Sequence, residues 1–96
     1  MKPSELLIKH RSDILALTSQ YPVANPRVFG SVVHGTDKEG SDLDILVDSL
    51  PNTNLFHLGG LQDGLETLLG ISVDLVTPFD LPASFRADVL NEARPI

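Results

Sequence analysis

Phe29-Gly30-Ser31-Val32-Val33-His34-Gly35-Thr36-Asp37-Lys38-Glu39-Gly40-Ser41-Asp42-Leu43-Asp44-Ile45-Leu46-Val47 is the stretch that decides the fold. It has the form of a strand end, a tight glycine turn, a short helical piece, a polar loop and a second strand. The first half offers backbone N–H groups around Gly30 and Ser31. The second half offers two carboxylates, Asp42 and Asp44, two residues apart. Strand residues i and i+2 point to the same face, so these carboxylates stand together. An anion holder followed by paired carboxylates suits a metal-bound polyphosphate.

The flanking chain supplies a scaffold. Leu43, Ile45 and Val47 alternate with Asp42, Asp44, Leu46 and Asp48, which is the period of a strand with one strongly apolar face. Upstream, Pro26–Phe29 is a short strand leading into Gly30. Gly30 and Gly35 bracket residues 31–34, a piece too short and too β-branched to be helical on propensity alone. Packing or a ligand must hold it. Thr36 to Gly40 is a polar turn. Residues 4–20 read as one amphipathic helix, with Leu6, Leu7, Ile14, Leu15 and Leu17 on its apolar face, Ser4 as N-cap and Pro22 as its end.

Downstream, residues 49–54 form a Ser/Pro/Asn loop and residues 55–69 a second helix. Leu58, Leu61, Leu65, Leu68 and Leu69 share one side of it, and Gly70 suits its C-terminal cap. Gly59, Gly60 and Gly64 weaken this helix, each by up to about 1 kcal/mol relative to Ala. Ile71–Thr77 is the third strand, stopped by Pro78. A last helix runs from near Pro82 to Ala93, with Leu81, Phe85, Val89 and Leu90 inward and Arg86 and Arg94 on the solvated side. The order α-β-(short α)-β-α-β-α closes most simply as a small α/β (α+β) sheet with helices packed on it.

Composition bounds the function. Ninety-six residues make one domain, 1–96, which buries only roughly 60–65% of its unfolded surface. A hydrophobic share of 42% is that of a globular protein. The formal charge of −6, from 13 acidic and 7 basic residues, repels nucleic-acid backbones and argues against direct DNA or RNA binding. A divalent cation can still bridge such a surface to a phosphate compound. There is no cysteine for a disulfide or thiolate site, which fits the cytosol. Lys9, His10 and Arg11 interrupt any signal-peptide core, and no apolar run reaches the roughly 18–20 residues of a membrane span.

Matched strand phases bring Asp74 to the face that carries Asp42 and Asp44. Two unit charges about 4 Å apart repel by roughly 4 kcal/mol at an effective dielectric of 20. Three such carboxylates become sensible around Mg²⁺, which takes oxygen ligands and commonly combines one or two carboxylates with substrate phosphates. The Gly30-Ser31 turn supplies the other half. Glycine lets backbone approach a phosphate, and the first turn of a helix aims N–H groups at an anion.

Gly30-Ser31, ten intervening residues and Asp42-Leu43-Asp44 resemble the signature of the DNA polymerase β-type nucleotidyltransferase superfamily. More narrowly, the chain is similar to the minimal nucleotidyltransferase (MNT) antitoxins that pair with HEPN-domain ribonuclease toxins. The resemblance extends through Val73–Pro78 and the final helix. It implies a small three-stranded mixed sheet with flanking helices. It implies that Gly30, Ser31, Lys38 and Ser41 hold the nucleotide, and that Asp42, Asp44 and Asp74 are catalytic and bind two Mg²⁺ ions. Asp74 then doubles as base for the incoming hydroxyl. The implied reaction moves AMP from ATP to a tyrosine of a helical toxin, silencing it in a hetero-oligomer.

One departure stands out. In the family that the chain resembles, many members carry arginines shortly after Gly-Ser, where this chain has Val32, Val33 and His34. Lys38 remains as the loop cation, with Arg27 just before the turn. The departure motivates a second reading, a non-catalytic antitoxin that acts by complex formation. A third is the catalytic chain of a two-chain transferase for a small molecule such as an aminoglycoside.

Overall fold

Two runs that alternate apolar and polar residues pair with a third, less regular one into one sheet, in a computed structural model that describes all residues, Met1–Ile96. The elements in order are α1 (Pro3–Lys9), α2 (Arg11–Thr18), β1 (Val23–Phe29), α3 (Ser31–His34), β2 (Leu43–Ser49), α4 (Leu55–Leu69), β3 (Val73–Val76), a 3₁₀ turn (Pro78–Asp80), α5 (Ala83–Glu92) and β4 (Arg94–Pro95). The sheet order is β3-β2-β1-β4. β2 runs antiparallel to β1 and parallel to β3, and β4 runs antiparallel to β1. The sheet is therefore mixed, as expected, but four-stranded rather than three-stranded. The extra strand is two residues long, Arg94–Pro95, so it carries no alternation that a sequence pattern could reveal.

The apolar face of the sheet meets α1, α2 and α4. Val28, Leu43, Ile45, Val47 and Val73 pack with Leu6, Ile14, Leu61, Leu65 and Leu69 in one buried cluster. These helices form only because that burial outweighs weak local signals. α4 carries three glycines, yet it is the longest helix, at 15 residues. Two of the glycines are spacers. A Cβ on Gly64 would stand 3.1 Å from Leu17 Cδ2, and one on Gly60 would stand 3.3 Å from the Tyr21 ring. Their lost helix propensity is exchanged for close approach of α4 to α2 and the segment after it.

The expected single helix over 4–20 is broken at His10, whose φ of −110° and ψ of 17° leave the helical region. Leu6 and Ile14 are eight residues apart and drift off a common line on a straight helix. The break lets both be buried. Ser4 is not the N-cap. The helix begins at Pro3, and the Ser4 N–H donates to Asp37 Oδ2 at 2.9 Å. Glu5 closes the same turn by accepting from the Lys2 N–H at 2.8 Å.

β3 is an edge strand, and α4 guards it. The Val73 N–H donates to Glu66 Oε2 at 2.9 Å and the Leu75 N–H to Gln62 Oε1 at 3.2 Å. Gln62 and Glu66 are four apart on one helix, so they meet alternate donors of the strand. The opposite edge of β1 is covered by β4, and the Ile96 N–H reaches Pro26 O at 3.1 Å.

α5 differs from its expected packing. Leu81, just before it, is buried, and Val89 is half-buried. Phe85 and Leu90 were expected inward but are 44% and 39% exposed, and no residue of α5 is buried. Arg86 was expected in solvent. Its Nε donates to Pro78 O at 2.8 Å and its terminal nitrogen to Leu81 O at 2.9 Å. The guanidinium also lies 5.8 Å from the Phe79 ring centre. It satisfies carbonyls that the short 3₁₀ turn leaves free, a demand invisible in a helical-wheel reading. No helix is long and apolar enough to cross a membrane.

Candidate active site

The site lies on the sheet face opposite the helical core. Cross-strand partners share a face, so Phe29, Asp44 and Asp74 form one row across β1, β2 and β3. The pairings are Phe29 with Asp44 and Asp44 with Asp74. The strand phases therefore place Asp74 directly beside Asp44, as the alternation requires. Asp42 precedes β2 by one residue and is exposed, as is Asp74. Asp44 is half-buried between them.

Burial pushes the Asp44 carboxyl up to about 6, and the charges of Asp74 and Asp42 push it the same way. Nothing cationic offsets this. The nearest arginine in sequence, Arg27, is spent on Asp48, with terminal nitrogen and Oδ1 2.5 Å apart. The acidic row is thus electrostatically unsatisfied. Its all-oxygen donor set fits a hard divalent cation such as Mg²⁺. No three His, Asp or Glu side chains stand close enough together to hold one ion between them. The strand register brings Asp42, Asp44 and Asp74 to one place without closing them into a cluster. Like charges have no reason to close up without a cation among them.

Gly30 joins the two halves of the site. It lies at the end of β1 with φ 71° and ψ −141°, a conformation that side chains disfavour. A Cβ there would stand 3.1 Å from Asp44 Cγ and closer still to Oδ2. The glycine turn and the carboxylate are therefore in van der Waals contact, with no room for a side chain. Gly30 also precedes the first turn of α3, whose N–H groups no side chain caps. Ser31 is the first residue of that turn and half-buried. Sequence propensity did not favour α3. It is held by contact with β1 and β2, by the His34 N–H to Gly30 O bond at 3.1 Å, and by Gly35 in the left-handed conformation.

The remaining expected ligands lie in the loop between α3 and β2. Ser41 is folded into a local turn: its hydroxyl accepts from the Lys38 N–H at 2.9 Å, and its own N–H donates to Lys38 O at 3.0 Å. The Lys38 side chain is exposed and makes no ion pair. Three further residues were not anticipated. Asp37 is buried, and the Ser4 N–H beside it holds its carboxyl below the usual carboxylate range. It ties the loop to α1. Asp48 takes Arg27 out of reach of the site. Glu92 accepts or shares a hydrogen bond with His34, Oε2 to Nε2 at 2.8 Å, across 58 residues. A buried acid in a polar loop is a weak signal in a sequence, and a pair 58 residues apart gives none.

The geometry can be set beside known proteins. The nucleotidyltransferase domain family matches residues 10–96. A protein adenylyltransferase named MntA, from Thermococcus cleftensis, is 39% identical over 87 residues, covering 91% of this chain and 85% of its own length. A protein of Methanocaldococcus jannaschii whose name proposes the same activity is 41% identical over 73 residues, covering 76% of this chain and 71% of its own. Among solved structures, a chain described as a candidate minimal nucleotidyltransferase superposes with a TM-score of 0.85 at 39% identity, covering 97% of this chain and 95% of its own. A toxin–antitoxin complex with AMP-PNP shares the fold at 23% identity, with a TM-score of 0.74 over 88% of this chain and 69% of its own. Family match, close relatives and superposition agree: the chain belongs to the nucleotidyltransferase domain family, among its minimal nucleotidyltransferases.

Proposed function

We propose that residues 1–96 form one catalytic domain that transfers AMP from ATP to a tyrosine hydroxyl of a partner toxin, neutralising it as an antitoxin. The observation that carries this reading is the row of Asp44 and Asp74 with Asp42 beside it, in contact with the Gly30 turn. The relatives named as protein adenylyltransferases and the fold shared with toxin–antitoxin complexes support the direction of the transfer. Gly30 and Ser31 present N–H groups to the phosphates, and the Ser31 hydroxyl adds a hydrogen bond. Lys38 is the one loop side chain free to pair with them. Ser41 acts through its turn, setting where Lys38 leaves the backbone.

Asp42, Asp44 and Asp74 would hold Mg²⁺. Held there, the ion would supply the positive charge that lets phosphates approach carboxylates. The acceptor oxygen bonds to the α-phosphorus as the bond from that phosphorus to pyrophosphate breaks. Asp74, exposed at the strand edge of the row, takes the proton of the hydroxyl. The partner then carries AMP and pyrophosphate leaves.

The test is transfer of label from α-labelled ATP to the partner in the presence of Mg²⁺. Label on the partner, lost with Asp44→Asn, is the expected outcome. No transfer, together with full neutralisation by the variant, removes the catalytic reading. One observation favours binding without catalysis as the alternative: the three carboxylates are not closed into a metal cluster. A variant with all three carboxylates changed to Asn that protects as well as the parent would select it.

A further inference from the structure

The short helix α3 carries the phosphate-facing turn, yet it has only four residues, two of them β-branched at its centre. Such a piece has no stability of its own. Its first residue follows Gly30, and its last, His34, meets Glu92 on α5, with Nε2 and Oε2 2.8 Å apart and both side chains half-exposed. The partner helix is equally in need of an anchor, because none of its residues is buried.

The placement of Glu92 is set by the sheet. β4 follows α5 at once and pairs Arg94 with Val28, two residues before Gly30. Glu92 is thereby delivered beside the end of α3. Both side chains sit at helix C-termini. Glu92 ends the ten-residue α5, where the helix dipole disfavours a carboxylate, so a hydrogen-bonding ring beside it meets a demand of that helix.

We propose that the His34–Glu92 pair is a latch that fixes α3 and so orients the Gly30-Ser31 turn for nucleotide phosphates. Glu92 and His34 are then positioning residues, and His34 is not itself a phosphate ligand. This inference rests on the nucleotide-binding reading of the Gly30 turn, and a readout independent of nucleotide keeps the two apart.

The test is a double-mutant cycle on the full chain with His34→Ala, Glu92→Ala and the pair, read by calorimetric binding of Mg²⁺–ATP. Each single variant should weaken binding by about three- to tenfold, and the double variant no further than either. Glu92→Gln retains a hydrogen-bonding partner for the ring and should bind within about twofold of the parent. Amide hydrogen exchange at Val32–Gly35 should quicken in Glu92→Ala without nucleotide present, at an unchanged urea midpoint for the whole chain. If His34→Ala weakens binding and Glu92→Ala does not, His34 is a direct ligand and the latch is wrong. If both variants lower the midpoint and leave affinity and local exchange alone, the pair is merely structural and the latch is wrong. If the parent takes up no nucleotide, the proposed function fails while the exchange measurement still decides the latch: quickened exchange supports it and unchanged exchange overturns it.

Discussion

Asp44 is where function opposes stability. Its carboxyl titrates near 6 in the fold against 3.8 for the free group, so folding favours its protonated form. The stabilising contribution is full below about pH 4 and is lost as pH rises through about 6. Asp44→Asn removes the buried charge. The variant should match the parent near pH 4 and exceed it at pH 7 in urea unfolding by about 1 kcal/mol, because solvent screens a half-exposed carboxylate. The gap should shrink when Mg²⁺ is added, because an ion among the carboxylates removes the penalty in the parent alone. Equal stability at both pH values would contradict the electrostatic account. Gly30 makes the complementary case. Gly30→Ala meets both a disfavoured φ and the Asp44 carboxylate, so it should destabilise by at least about 2 kcal/mol and abolish nucleotide uptake. A variant with parental unfolding would show that the turn yields easily.

The elements fall into two kinds, those that hold the core and those that hold the site. β1, β2, α2 and α4 bury much of the apolar cluster, and periodicity announces β2 and α4 in the sequence. α3 and β4 are four and two residues long, and they exist because larger elements position them. Edge protection of β3 also belongs to this scale. Removing Glu66 leaves the Val73 N–H, on a buried residue, without its acceptor. Glu66→Ala should destabilise by about 1–2 kcal/mol. Gln62→Ala with Glu66→Ala frees two alternate donors of an edge strand, and light scattering should register faster self-association on heating than the parent shows. Parental scattering would mean that the edge is protected by other means.

The whole molecule is a sheet with two unlike faces: three helices on one, and on the other the buried Leu46 beside an acidic row and a phosphate turn. A net charge of −6 leaves that row without compensation from the surroundings, so its ligand must bring cations. Mg²⁺ with ATP at about a hundred times its dissociation constant should raise stability by about 2.7 kcal/mol, and ATP without Mg²⁺ by far less. Equal effects with and without the ion would remove the metal from the account. The spacing of Gly30-Ser31 and Asp42-Leu43-Asp44, and the alternation around Asp74, were enough to determine the shared strand face and the family. These are periodic or local properties, and the backbone enforces them wherever the strands pair. The break at His10, the fourth strand, the carbonyl bonds of Arg86, the loss of Arg27 to Asp48 and the His34–Glu92 pair were decided only in three dimensions. Each depends on which groups long-range packing leaves unsatisfied, and a residue's unmet hydrogen bond or charge is a property of its neighbours in space.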